Sequence, residues 1–311
     1  MCGVKDLLGG LVVPLVTPMD LPGVPSAAAG TPLLRAMADA GVRRLMLLGS
    51  NGEGPLVRAD RVPGYVAGTV KRWRDLVDGG VVLVNVTAPG TDEVRERAER
   101  VVDSGADALV LSPPTYFRHR PDEVVAHYAA LAGVGLPVVA YNAPKYATPL
   151  TESSVDGLVA LPHVVGVKDS STDPAVLAHL VEAARRRTDF TVSQGDERGL
   201  AAGLRAGAGG IVPGTANLAP RLAADLLAAH EAGDGAEVDR LQDLHTRLTA
   251  LHAVRPGVPA VKALLARWGL CPPHAAPPLA PCTPSEADEL ARVVGPLGAY
   301  LLAPHDLVTH D

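Results

Sequence analysis

The segment VVLVNVTAPGTDEVRERAERVVDSGADALVLSPP, residues 81–114, holds one complete supersecondary unit. It opens with a short run of β-branched and apolar residues, VVLVNVTA, which reads as a strand buried on both faces. The period then changes. In DEVRERAERVVDSGAD, Glu93, Arg97 and Arg100 fall on one side at helical spacing, while Val94, Ala98, Val101 and Val102 fall on the other. The charged side is a solvated surface and the apolar side faces a sheet. ALVLSPP then returns to the strand pattern. Strand, helix and strand in this order require a parallel pair joined by a crossover.

The same alternation continues in both directions. Strands are predicted at GLVVPLVTP (10–18), RRLMLLGS (43–50), VVLVNVTA (81–88), ALVLSPP (108–114), PVVAYNAP (137–144), VVGVKDS (164–170), FTVSQGD (190–196) and GGIVPGTA (209–216). Eight strands covered on both faces close most economically as a (β/α)8 TIM barrel, an α/β fold. An open doubly wound sheet is the alternative, but no GxGxxG follows the first strand. Beyond the eighth unit, residues 234–253 and 258–268 carry helical patterns. TPSEADELARVVGPLGAYLL starts another helix, with Thr283 as cap and Glu286 three residues on. The proline-rich CPPHAAPPLAPC between them reads as an extended connector. The expected organisation is a barrel over residues 1–232, a C-terminal helical region over 233–303 and a disordered tail over 304–311.

Composition bounds the function. The chain has 311 residues, 47% of them hydrophobic and 20% charged, with a net charge of −6, which suits a large globular core and disfavours nucleic acid as a partner. No stretch is long and apolar enough to span a membrane. Lys5 followed by LLGGLVVPLV imitates a secretory leader, yet Asp6 and Pro14 interrupt that pattern and the segment is needed as the first barrel strand. Cys2, Cys271 and Cys282 form no disulfide framework and suit reduced thiols, so a cytoplasmic location is expected. The ten histidines show no HxxxH spacing, and HDLVTHD lies at a chain end, so no metal is expected.

In such barrels the active site forms at the C-terminal ends of the strands. The polar residues expected there are Thr17, Ser50, Asn51, Tyr116, Tyr141, Lys168, Asp196 and Thr215. This set lacks the paired carboxylates of a glycosidase and the ligand clusters of a two-metal hydrolase. It does contain a lysine directly after an apolar strand core. Lysine is scarce here: only Lys5, Lys71, Lys145, Lys168 and Lys262 occur, and every other basic residue except histidine is arginine. Arginine cannot give up its proton, whereas a desolvated lysine can supply a neutral amine. Val164, Val165 and Val167 are expected to bury Lys168, and strand alternation sends Asp169 to the opposite side. Two readings of Lys168 remain open: a nucleophilic amine served by the Tyr141 hydroxyl on the neighbouring strand, or a structural ion pair with Asp196. GSNGEG (49–54) is either an ordinary tight turn or a set of N–H groups converging on a carboxylate. GAGGIVPG is either a phosphate site or close helix–strand packing.

Taken in order, LVTP (15–18), GSNGE (49–53), SPPTYF (112–117), YNAP (141–144), GVKDS (166–170), QGDE (194–197) and GIVPGTAN (210–217) resemble the dihydrodipicolinate synthase and N-acetylneuraminate lyase superfamily, over residues 8–300. The resemblance implies a Schiff-base class I aldolase acting on pyruvate or a related 2-oxo acid. Lys168 would form the imine and Tyr141 would relay protons. Ser50 and Asn51 would hold the substrate carboxylate, and Val212 would present a backbone carbonyl. Tyr116 would extend the relay across a dimer interface. It further implies no cofactor or metal, and a homotetramer built as a dimer of dimers. In the dihydrodipicolinate synthases the second residue after the proline of Y-N-x-P is an arginine that grips the second substrate's carboxylate; here it is Tyr146. A phenol replaces neither the charge nor the fork of a guanidinium, unless the adjacent Lys145 turns inward. GSNGE, VKDS and GVPAVKALLARWG resemble the 4-hydroxy-2-oxoglutarate aldolase branch instead. The expected reaction is therefore cleavage or formation of a 4-hydroxy-2-oxo acid. The alternatives are 4-hydroxy-tetrahydrodipicolinate synthesis, a sugar-acid dehydration through the same imine, or a non-catalytic 2-oxo acid binding protein.

Overall fold

The structure is a computed structural model that describes residues 7–302. The strands are β1 (Gly10–Leu11), β2 (Val13–Pro14), β3 (Met19–Leu21), β4 (Val24–Pro25), β5 (Arg44–Leu47), β6 (Val81–Asn85), β7 (Ala108–Leu111), β8 (Val138–Asn142), β9 (Val164–Asp169), β10 (Thr191–Gln194) and β11 (Gly210–Ile211). The main sheet runs β1-β11-β10-β9-β8-β7-β6-β5-β2, with every pair parallel. Its two ends are halves of one extended segment. β1 pairs with β11 and β2 with β5, and only Val12 separates them, so the sheet closes on itself. The single first strand expected over 10–18 is thus divided between two partners, and its end turns into the small β3–β4 hairpin.

Helices α1 (Thr31–Asp39), α2 (Val62–Leu76), α3 (Thr91–Val101), α4 (Pro121–Ala129), α5 (Glu152–Val159), α6 (Pro174–Ala184), α7 (Leu200–Ala206) and α8 (Pro220–Glu231) each follow one barrel strand, completing a (β/α)8 TIM barrel. Four further helices form a C-terminal appendage: α9 (Gly235–Leu248), α10 (Leu251–Val254), α11 (Val258–Arg267) and α12 (Pro284–Val294). The helix expected over 234–253 is broken between α9 and α10. The capping box of α12 forms, with Thr283 Oγ1 accepting from Glu286 N at 3.2 Å and Glu286 Oε2 accepting from Thr283 N at 2.7 Å. Cys2 and the HDLVTHD tail lie outside the described residues, whereas Cys271 and Cys282 are free thiols. Among the described residues no helix is long and apolar enough to cross a membrane.

Strand alternation sorts the core into two shells. Val82, Val84, Leu109 and Val167 face the helices in a large outer cluster. Val12, Met46, Leu83, Val110, Val139 and Tyr141 fill the barrel interior with Val165 and Val212. On α3 the charges pair on the wet side, Arg97 with Glu93 at 2.7 Å and Arg100 with Glu96 at 2.6 Å, while Val94, Ala98 and Val101 are buried. Gly210, the first residue of β11, serves close packing: a Cβ there would stand 2.2 Å from the Leu8 carbonyl oxygen and 2.6 Å from that of Gly10. That contact gives Gly210 a packing role.

Two histidines are locked inside this shell. His127 Nδ1 lies 2.8 Å from the Thr91 hydroxyl, and His245 Nδ1 lies 3.1 Å from that of Thr215. Burial pushes both imidazoles from the usual 6.5 down to about 4, with the charge of His119 adding to the effect at His127. The unfolded chain therefore binds protons that the folded chain refuses, and stability rises with pH across this window. It should be complete above pH 6.5 and fall as the pH drops from 6.5 towards 4, by a few kcal/mol in all on the ~1.4 kcal/mol per pH unit scale. Urea unfolding at pH 7 and pH 4.5 checks this, and His245→Gln should flatten the dependence.

Candidate active site

β8 and β9 lie side by side with Tyr141 opposite Lys168 and Asn142 opposite Asp169. This register lets one pair of side chains face the barrel interior and the next pair face away. Lys168 retains 5% exposure, and its Nζ sits 4.4 Å from the centroid of the Tyr141 ring. Such a contact attracts a cation to the π-face. Among the described residues Lys168 has no ion pair. Asp196 likewise makes no ion pair among the described residues; its backbone N–H donates to Gln194 Oε1 at 2.8 Å. The structural ion pair weighed from the sequence does not form.

Asp169 points to the other side, as alternation requires. Its Oδ1 accepts from Asn142 Nδ2 at 2.7 Å, and its Oδ2 accepts from the Ser171 hydroxyl at 3.0 Å. Burial raises its carboxyl above the ordinary value, opposed by those two hydrogen bonds. Asn142 Oδ1 in turn accepts from Leu150 N at 3.1 Å, which anchors the loop after β8. This latch holds the ends of the two strands that carry Tyr141 and Lys168. The valine cage expected around Lys168 is divided: Val165 lies inside the barrel, whereas Val164 and Val167 face the helices.

Two glycines allow close packing here, one against β10 and one against the lysine. A Cβ on Gly166 would meet the Thr191 carbonyl oxygen at 2.4 Å and Leu8 Cδ1 at 2.8 Å. A Cβ on Gly195 would stand 2.7 Å from Lys168 Cε and 2.4 Å from Ser170 Oγ. Alanine at 195 must therefore displace the aliphatic stem of Lys168 while leaving the core intact. Gly195→Ala is expected to lower kcat about 10²-fold, the scale on which a displacement of roughly 1 Å is felt. Steady-state kinetics beside an unchanged circular-dichroism spectrum would check it.

The loop after β5 is wound tightly. Leu48 and Glu53 adopt left-handed φ values of +58° and +57°. Gly54 is pressed so close that a Cβ would stand 1.8 Å from the Leu48 carbonyl oxygen. The N–H groups of Glu53 and Gly54 are spent inside the turn, on Ser50 O and Gly49 O. Those of Ser50 and Asn51 make no hydrogen bond among the described residues, so the loop is a tight turn and also leaves donors free. Ser50 Oγ lies 3.5 Å from the Tyr141 hydroxyl, a loose contact for two hydroxyls. The Asn51 amide lies against Gly214, whose N–H donates to Glu197 Oε1 at 2.8 Å. Thr17 fastens the loop from below, its hydroxyl donating to Gly52 O at 2.6 Å.

Glu53 anchors the same loop to the appendage. Its carboxylate pairs with Lys262 of α11 at 2.5 Å and accepts from Ala276 N at 2.6 Å, and Lys262 Nζ also donates to His274 O at 2.7 Å. Glu53 is 2% exposed and Lys262 is fully buried. The proline-rich segment read as a connector is therefore a docking strap against the loop that carries Ser50.

A cleft of about 440 Å³ opens at this mouth. Ser50, Asn85, Thr87, Ser112 and Tyr141 form its polar wall at the ends of β5 to β8. Leu56, Val258 and Leu279 form an apolar wall, with Tyr146 at the rim. Lys168 stands one contact behind this surface, through Tyr141. Asn85, Thr87 and Ser112 were not singled out in the sequence, where they pass as strand terminators. Lys145 is exposed, its ammonium 5.4 Å from the centroid of the Tyr146 ring, and does not line the cleft. Val212 is buried in the barrel interior. Tyr116 is not brought to the site within one chain: it is 89% exposed, at φ +80°, with its ring edge-on to Phe117.

A lysine beside a tyrosine at the ends of adjacent strands of a parallel barrel suits a lyase or aldolase. The chain belongs to the dihydrodipicolinate synthetase family, whose model matches residues 7–296, and is an enzyme of that class. It is 33% identical over 272 residues to an uncharacterised DapA-like lyase from Halobacterium salinarum, covering 86% of this chain and 87% of the relative. It is 32% identical over 312 residues to the 4-hydroxy-tetrahydrodipicolinate synthase of Xylella fastidiosa, covering 97% and 99%. The solved dihydrodipicolinate synthase of Bacteroides thetaiotaomicron superposes with a TM-score of 0.85 at 27% identity, covering 92% of this chain and 98% of that one.

Proposed function

We propose that this enzyme makes and breaks the C3–C4 bond of a 4-hydroxy-2-oxo acid through an imine between Lys168 and pyruvate or a related 2-oxo acid. The observation that carries this reading is the register of β8 on β9, which sets an amine without an ion-pair partner among the described residues 4.4 Å from the ring of a phenol. In the synthetic direction the Lys168 amine adds to the C2 carbonyl, and the carbinolamine loses water to give a protonated imine. The Tyr141 oxygen, left as phenolate when its proton departs with that water, takes a C3 proton to give the enamine, with the imine nitrogen as electron sink. C3 then bonds to the aldehyde carbon, whose oxygen takes a proton from the Tyr141 hydroxyl. Water hydrolyses the imine, releasing the hydroxy-oxo acid and the free amine.

Ser50 and Asn51 receive the carboxylate of the 2-oxo acid with the open N–H groups of their loop, and the loose Ser50–Tyr141 contact tightens when substrate fills the gap. Val212, just past β11, offers its carbonyl. Tyr116 serves a neighbouring subunit of a homotetramer: an exposed aromatic pair held in a strained backbone suits an interface better than solvent. Tyr146 at the rim disfavours aspartate semialdehyde as second substrate. Borohydride reduction with pyruvate, followed by peptide mass mapping, tests the reading. A reduced pyruvyl adduct on Lys168 is expected, and its absence would refute the imine.

A further inference from the structure

The walls of the cleft beyond Tyr141 restrict what the imine can react with. Asn85 closes β6 and is 7% exposed; its Oδ1 accepts from Thr87 N at 2.9 Å, leaving its amide N–H groups without a partner among the described residues. Thr87, 6% exposed, accepts from Ser112 N through Oγ1 at 3.0 Å, so its hydroxyl proton is also unspent. Two buried donors thus remain on the polar wall. Leu56, Val258 and Leu279 line the same cleft with hydrocarbon. Among the described residues no lysine, arginine or histidine lines the cleft, and its one carboxylate, Glu53, is already neutralised by Lys262.

On the imine reading above, the charge arithmetic is short. The protonated imine supplies one positive charge, and the carboxylate of the 2-oxo acid answers it. A second carboxylate would enter a partly apolar cleft with no cation to meet it, and desolvating an unpaired ion costs several kcal/mol. A neutral oxygen satisfies Asn85 and Thr87 without that cost.

We infer that the aldehyde partner is uncharged: a neutral aldehyde with an oxygen placed for Asn85 and Thr87 and a short hydrocarbon end for Leu56, Val258 and Leu279. The product is then a 4-hydroxy-2-oxo monocarboxylate rather than a dicarboxylate. The carbon–carbon step is the one written above, C3 of the enamine bonding to the aldehyde carbon as its oxygen is protonated.

The test pairs two measurements on the intact enzyme. Borohydride trapping of pyruvate on Lys168 reports the imine whatever the aldehyde. Aldol rates with pyruvate are then compared for succinic semialdehyde and its uncharged amide, two acceptors of nearly equal size. The amide is expected to react with a kcat/KM at least tenfold higher, and Tyr146→Arg, which places a guanidinium at the rim, should narrow or reverse that ratio. Trapping with equal or better use of the carboxylated aldehyde would overturn this inference and leave the imine standing. Loss of that carboxylate use in Lys145→Ala would then assign the charge to an inward-turning lysine. Failure to trap pyruvate at all would overturn both.

Discussion

Lys168→Arg should leave a folded protein whose aldol activity falls by a factor on the order of 10⁴ or more, the scale on which enzymes feel the loss of a covalent nucleophile. The exchange keeps the charge and most of the volume, so it isolates a single property: guanidinium does not become a neutral nucleophile near pH 7. Stability should not follow activity. Lys168 has no ion pair among the described residues and is 5% exposed, so in the folded state it is a buried polar group whose visible compensation is the face of Tyr141. Burying such a group costs about 1–3 kcal/mol, and a cation–π contact returns part of it. Lys168→Met should therefore unfold at the same or a higher urea concentration while being inactive. A lysine kept for structure would show the opposite pattern, with activity and stability falling together. Tyr141→Phe provides the graded comparison: it preserves the ring under the amine, removes the hydroxyl, and should cost about 10²–10⁴ in kcat.

The barrel was legible because its information is local. Each strand is a short apolar run, each helix shows its own period, and eight repetitions leave few closed arrangements. The placement of Lys168, Tyr141 and Ser50 at neighbouring strand ends was legible for a related reason: a barrel of this kind gathers polar side chains there, and a lysine stands out in an arginine-rich chain. What stayed hidden depends on partners distant in sequence. Asn85 and Thr87 sit inside VVLVNVTA, and nothing local says that β6 ends beside a cleft whose other wall comes from Val258 and Leu279. The Asn142–Asp169 latch needed the register of two strands. Asp169 could be sent away from Lys168 by alternation, but its partner could not be named. Tyr116, expected past the fourth strand and, by the resemblance, in a relay across a dimer interface, stands at positive φ as the most exposed large hydrophobic side chain among the described residues, and a role across an interface depends on a partner chain rather than on its own strand. The proline-rich strap was read from composition as an extended connector, yet its Ala276 N–H binds a carboxylate 223 residues earlier.

That strap carries the largest expected effect on stability. Lys262→Met should destabilise the protein by about 3–5 kcal/mol, because it leaves the Glu53 carboxylate in a dry site with no countercharge. Glu53→Gln alone should cost a similar amount for the converse reason, while still accepting from Ala276 N. The double variant Glu53→Gln, Lys262→Met removes both charges and should recover most of the loss, since a buried pair is worth little against neutral packing of the same volume. Urea midpoints of the four proteins at one concentration form a double-mutant cycle, and a coupling energy near zero would show that the two side chains do not act as a pair. The site should respond along with the core. Glu53 holds the loop that carries Ser50 and Asn51, in a left-handed conformation that the surroundings must enforce. A loosened loop presents its N–H groups to the 2-oxo acid with less order, so the single variants should raise KM for pyruvate more than they lower kcat. The double variant should keep part of that defect even where stability returns, because uncharged partners restore packing without restoring the short, directional contacts that aim the loop.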